Sequence, residues 1–421
     1  MEAVAERAWL ISIEGIITPL MKIARKSELK GIAGLILVGL VLISMLAAAT
    51  GKLEWLGLTG PQVLDRILFV SGRSGSGEVL VMGTDGSSPK QLTDGARVLS
   101  APAISPKGNR IAFVGIYGRA SQVLGVGADG GSIGQLTSAT GPKGRPSYDP
   151  SGERLAYIAG GKIYVSDVDG NEPSLVLPTE AEIRASMGSA TGRTELPAYS
   201  TYAWTPDGEG LAAAARGSDG NDTLIYLPEL HSQAMPLTGV AQLGGENVLF
   251  ILPDLSGEAK PMSLMPIPSG QRVQITGISW AADNAVMVAA IVVGKSSVLL
   301  RFDADAMTMQ PVMAGKAQRF TGVSLSPDGT VTALTVESSQ GKDGSGILKL
   351  SDGESTPQPL AAGHFESPRF SPDSDRILAT QVDQKTSARD VVVIDASTGN
   401  LQRLTTNGHS FDGVWSPVSK R

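Results

Sequence analysis

The chain has 421 residues, a net charge of -6, 42% hydrophobic and 5% aromatic residues, and no cysteine. The missing cysteines exclude disulfides, thiolate metal sites and cysteine nucleophiles, and the acidic balance excludes the basic footprint on which nucleic-acid affinity depends. With Gly 51 and Pro 25, the composition fits many short strands joined by tight turns, so an all-β fold is expected and nucleic acid is not expected as a partner.

Residues 1–30 form a mixed leader in which Trp9, Ile13, Ile16, Ile17 and Leu20 fall on one face of a helix disturbed by Pro19. Gly31 to Thr50 are twenty uncharged, mostly apolar residues between Lys30 and Lys52. A helix of that length crosses a hydrocarbon core of about 30 Å. A cleaved signal peptide is the rival reading, since Ala47-Ala48-Ala49 offers small residues for cleavage, but the leader is long for one. The expectation is therefore an uncleaved single-pass anchor over 31–50. Lys22, Arg25, Lys26 and Lys30 precede it against Lys52 and Arg66 after it, so the N-terminus is placed in the cytoplasm. A linker over 51–65 then leads to an exported domain, periplasmic or at the cell surface, over 66–421.

That domain reads as a repeat. Ser326-Pro327-Asp328-Gly329, Ser371-Pro372-Asp373 and Ser416-Pro417 recur every 45 residues, the period of a four-stranded propeller blade. The first unit, with strands at Ile67–Val70, Val79–Met82 and Lys90–Thr93, lacks an inner strand, and Phe411–Ser416 supplies one at the other end of the chain. Between them lie units at 99–137, 145–177, 201–238, 241–276, 278–313, 320–360 and 365–405. The composite blade brings the expected count to eight. It falls to seven if a unit between Ala241 and Ala282 is misread, because there Gly244-Gly245 and Ala282-Asp283-Asn284 replace the Pro-Asp-Gly turn.

Each anchor turn has a backbone logic. Proline presets φ, aspartate bonds nearby amides, and glycine accepts a left-handed conformation. Trp204, Tyr148 and Phe370 stand two positions before their prolines, where they are expected to fill the space between blades. Ser-Pro-Asp-Gly, followed by strands such as Arg110–Val114 and Ile163–Val168 and by Gln135-Leu136-Thr137, resembles the WD-type repeat of TolB-like β-propellers over most of 66–417. The resemblance implies a periplasmic protein that binds other proteins without catalysis. The same repeat is similar to the propeller of prolyl-oligopeptidase-like peptidases.

The sequence holds no Gly-x-Ser-x-Gly elbow, no phosphate loop and no His-Glu-x-x-His, so neither an enzyme nor a cofactor is expected. Asp167 to Asn171 superficially matches a calcium loop but lacks the later glutamate, and the repeat makes it a turn between the third and fourth strands. No metal site is expected.

Arg319, His364 and His409 each lie eight residues before an anchor proline, which predicts one face near the central opening. His231 is predicted on the opposite face. The longest segment outside the repeat, Pro178 to Ser200, emerges on the same face as the two equally spaced histidines and carries Glu180, Glu182, Arg184, Arg193 and Glu195. A connection of that length is uncommon unless it serves recognition or is disordered. The expected function is a membrane-anchored scaffold or accessory subunit that binds other proteins of the membrane or envelope through this face. The alternative is a propeller that binds a small molecule or glycan in its central funnel, with or without catalysis.

Overall fold

The computed structural model describes residues 62–73, 75–187, 195–252, 263–338 and 345–418. The leader, the 31–50 segment, most of the linker and Arg193 lie outside them. Among the described residues no helix is long and apolar enough to cross a membrane.

Eight antiparallel sheets form a β-propeller. Blade 1 is composite: Arg66–Ser71, Glu78–Gly83 and Lys90–Gln91 take Ser410–Trp415 as their inner strand. Blades 2, 3 and 4 span 103–135, 147–177 and 198–236; blades 5, 6, 7 and 8 span 238–266, 273–315, 318–362 and 364–403. The closure read from the sequence is present, with Leu68 paired to Val414 and Val70 to Phe411. No free edge remains in that blade's interior.

In blade 6 the second strand is covered on both faces, so its sequence is a continuous apolar run rather than an alternation. In Val286–Val293 every residue after the first is buried. Hydrophobic burial is accordingly layered between blades. Leu68 and Val70 of blade 1 pack with Ile111 and Phe113 of blade 2, and Ile67 and Phe69 pack with Leu378 and Val391 of blade 8. Trp204 fills the space between blades 3 and 4, beside Ala156 and Ile158, as its place before the anchor proline predicts.

The anchor turns close as expected, with Gly108, Gly152, Gly208 and Gly329 at φ of 69° to 76°. Ser326 Oγ donates to Asp328 Oδ1 at 2.5 Å and accepts the Val331 amide at 2.9 Å. In blade 3 the two side chains are exchanged. Asp149 accepts the Ser151 hydroxyl and the Glu153 and Arg154 amides. Burial raises the Asp149 carboxyl and these donors outweigh it, leaving it below the usual carboxylate range.

The Gln-Leu-Thr end of the repeat proves to be a clasp. Thr93 Oγ1 accepts the Val79 amide at 2.9 Å and donates to Glu78 Oε2 at 2.7 Å. Thr137 does the same between Val123 and Gln122, and Thr405 between Val391 and Asp390. Glu78 goes on to accept the Gly95 and Ala96 amides in the connection to blade 2. One buried side chain thus ties its own blade to the next.

Blade 5 departs from the unit expected at 241–276. The outer strand of blade 4, Met235–Pro236, runs on through Leu237 into Thr238–Leu243, and Leu224 still bonds the Thr238 hydroxyl at 3.0 Å. Gly244 and Gly245, at φ 62° and 88°, make a two-residue hairpin turn rather than an anchor. Three strands of this blade lie among the described residues. The next inner strand, Val273–Trp280, begins before the expected Ile278 and packs straight onto blade 4. Val273 and Ile275 donate to Asn221 Oδ1 and Asp222 Oδ2 at 2.9 and 3.0 Å, and the Trp280 ring lies 6.0 Å from Tyr226. The inner strands of blades 4 and 6 are therefore neighbours, and blade 5 stands off the axis.

Candidate protein-binding face

Each inner strand ends at an anchor turn, which fixes the two faces of the ring. Anchor turns and third-to-fourth connections lie on one face. Second-to-third connections and the connections between blades lie on the other, the loop face. Asp222–Leu227 starts from a loop-face turn, and Met235–Pro236 runs antiparallel to it, so the continuation into blade 5 rises on the loop face.

The connection between blades 3 and 4 begins with a helix, Glu180–Met187. Thr179 caps it. Glu182 Oε2 accepts the Thr179 amide at 2.7 Å and hydroxyl at 2.9 Å, while the Glu182 amide donates back to Thr179 Oγ1. This is a capping box, so Glu182 is used in holding the helix start. Glu180 and Arg184 pair at 2.7 Å with both side chains at least 80% exposed, a geometry worth about 0.3–0.5 kcal/mol. No residue of the helix is buried, and Met187 ends it in solvent. Glu195 is exposed on the far side of the connection.

Arg319, His364 and His409 stand at the loop-face ends of the inner strands of blades 7, 8 and 1. Arg319 Nη2 donates to Oε1 of Gln274, the residue 45 positions earlier, at 3.0 Å. Gln384 Nε2 donates to His364 Nδ1 at 3.1 Å, which leaves the ring proton on Nε2, a buried nitrogen without a partner. His409 exposes its ring while its carbonyl accepts the Gly72 amide at 2.8 Å. The structure thus puts the predicted residues that are described, all but Arg193, on one face. Among the described residues, Glu180 with Arg184 is the one direct bond within the set. His231 lies on the opposite face as predicted, beside the Ser174 hydroxyl at 3.2 Å.

Charge and loop length pointed to this face, but its apolar residues went unread. Leu99, Tyr117, Met187, Leu243 and Leu264 are 50% to 75% exposed and all belong to the loop face or to blade 5. Leu401 and Val418 are the exposed large apolar residues of the anchor face among those described. Tyr117 ends a long strand at a two-residue hairpin with Gly118 at φ 62°, a signal visible in the sequence as Tyr-Gly between two apolar runs. Where blade 5 rises, a concavity of about 510 Å³ opens against the turn of blade 4, lined by Asp219, Asn221, Gln242, Asn247 and Arg272 among others. Its lining is mainly polar. The hydrogen bond from the Asn221 side chain, helped by that residue's backbone amide and outweighing burial, lowers the Asp219 carboxyl, and the Arg272 charge is the weakest of the causes.

No protein-family model matches the chain, and no curated protein does. Among solved structures, the chain is similar to dihydro-heme d1 dehydrogenase NirN in complex with DHE, at 13% identity and a TM-score of 0.50, over 85% of this chain and 76% of that one. It is also similar to TolB from Acinetobacter baumannii, at 15% identity and a TM-score of 0.49, over 84% of this chain and 67% of that one. At such identities the likeness reaches the fold and stops there.

Proposed function

We propose that this chain is a membrane-anchored, exported propeller that captures a protein partner with its loop face and serves as a scaffold or accessory subunit of a membrane or envelope complex. The observation that carries the reading is the distribution of exposed apolar side chains. Five of the seven large ones among the described residues lie on the loop face or on blade 5, and Leu99, Tyr117, Met187 and Leu243 follow one another over blades 2 to 5. Blade packing does not require them there. Apolar side chains set among polar ones are the pattern of a docking surface. The anchor rests on the uncharged run Gly31–Thr50 and its basic N-terminal flank.

The test uses the full chain, extracted from membranes with mild detergent after a salt wash that should leave it in place. Replacing Leu99, Tyr117 and Met187 together by glutamate should shift the melting temperature by no more than about 2 °C, since exposed positions cost little. Quantitative mass spectrometry of co-purifying proteins should show the partner of the wild type reduced at least about tenfold, the effect of losing roughly 1.4 kcal/mol. Leu401→Glu on the other face should leave it unchanged. Equal recovery in both variants would overturn the assignment of the face, and release by salt alone would overturn the anchor.

A further inference from the structure

A second feature lies on the axis and is independent of the loop face. Ser367 and Arg369 belong to the inner strand of blade 8, Asp412 to that of blade 1, and Arg145 precedes the inner strand of blade 3. Although blade 2 separates blades 3 and 1, Arg145 Nη2 lies 3.9 Å from Asp412 Oδ1. Asp412 Oδ1 also accepts the Ser367 hydroxyl at 3.0 Å. The Asp412 carboxylate is thus shared between the Arg145 guanidinium and the Ser367 hydroxyl.

Arg369 is the group left over. Its Nε is buried and donates to nothing. Burial, then the positive charge of Arg145, lowers the Arg369 guanidinium to about 9, with Asp412 acting in the opposite sense. At neutral pH it is still a cation, partly exposed, and its buried Nε is a charged donor left without an acceptor, which is costly. The backbone is strained at the same place. Ser367 and Asp412, 45 residues apart, hold φ of 52° and 56°, in a region that side chains other than glycine rarely adopt. Both residues fall where the pairing register of their inner strands shifts, as in a bulge, and there the Ser367 and Asp412 side chains meet.

We propose that the central channel binds a carboxylate between Arg145 and Arg369, with the Arg369 fork donating to its oxygens. One net positive charge matches a monoanion, and a planar guanidinium matches a carboxylate edge to edge. The carboxylate is either that of a free small acid or the C-terminus of a peptide entering the funnel.

The probe is sodium acetate, exchanged for sodium chloride at fixed ionic strength, against the full chain in detergent. Melting temperature should rise saturably, by about 2 °C at ten times the dissociation constant. Arg369→Gln should abolish the rise. Asp412→Asn removes the competing carboxylate, and asparagine tolerates the left-handed φ, so acetate affinity should increase about tenfold. The two variants have opposite expected signs, which a general loss of structure does not produce. If Arg369→Gln fails to fold, the Asp412→Asn arm decides: unchanged or weaker acetate binding overturns the site. A rise that never saturates, or one given by inorganic phosphate and not by acetate, also overturns it. Triglycine binding more tightly than both acetate and amidated triglycine assigns the site to a peptide terminus, and equal binding of acetate and triglycine assigns it to small acids.

Discussion

Deleting residues 410–421 is expected to lower the melting temperature of the propeller by about 10 °C or more and to make it aggregate. The strand Ser410–Trp415 pairs with Arg66–Ser71, and Ser416 continues the tie, its Oγ accepting the Arg66 amide at 2.8 Å. Its side chains also join blades 8 and 1. Trp415 packs beside Ile67, Phe69, Leu378 and Val391, donates from Nε1 to the Arg369 carbonyl at 3.1 Å, and lies under the Arg376 guanidinium at 5.0 Å. Losing Phe411, Val414 and Trp415 exposes apolar surface worth about 2 kcal/mol for each side chain before the opened strand edge is considered. Because each blade is supported by its neighbours alone, the loss leaves two free ends where there were none. Calorimetry of the truncated chain checks this, and an unchanged transition would mean that another segment closes the ring.

Glu78→Ala is the point substitution with the largest expected cost, about 3–4 kcal/mol. The carboxylate is 2% exposed and accepts four hydrogen bonds, from the Ser76 and Thr93 hydroxyls and the Gly95 and Ala96 amides. Alanine leaves buried donors unpaired at the junction of blades 1 and 2. Glu78→Gln should cost only about 1–2 kcal/mol, since an amide oxygen still accepts. Blade 2 already uses Gln122 at the matching position, where it accepts the Thr137 hydroxyl at 2.7 Å. Chemical denaturation of both variants separates the outcomes. Equal losses for alanine and glutamine would show that charge, not acceptance, holds the clasp.

The blades were readable because their anchor turns recur at fixed chemistry. Proline, an acceptor side chain and a left-handed glycine are local demands of the backbone, so they survive in the sequence as a pattern. Blade 5 was misjudged for the same reason. Its Gly244-Gly245 hairpin obeys a different turn, and the strand that enters it begins as the edge of blade 4, with no signal at the handover. The spacing of 45 residues placed Arg319, His364 and His409 correctly at the loop-face ends of neighbouring inner strands. It did not reveal that Glu182 caps its own helix, although Thr179 with Glu182 three residues later is the sequence form of a capping box. The channel charges were beyond reach. Arg145 and Asp412 are 267 residues apart, and only the closed ring brings them to 3.9 Å. The same spacing that pairs the histidines also pairs Ser367 with Asp412, which was the one hint available.

Site-specific photo-cross-linking in intact cells tests the central claim most directly. A photoreactive amino acid placed at Tyr117 or Met187 samples the loop face, and one at Glu172 or Leu401 samples the anchor face; all four positions are exposed. Partner capture by the loop face predicts a discrete cross-linked protein from Tyr117 and Met187 and none from Glu172 and Leu401. The reverse pattern would contradict the account.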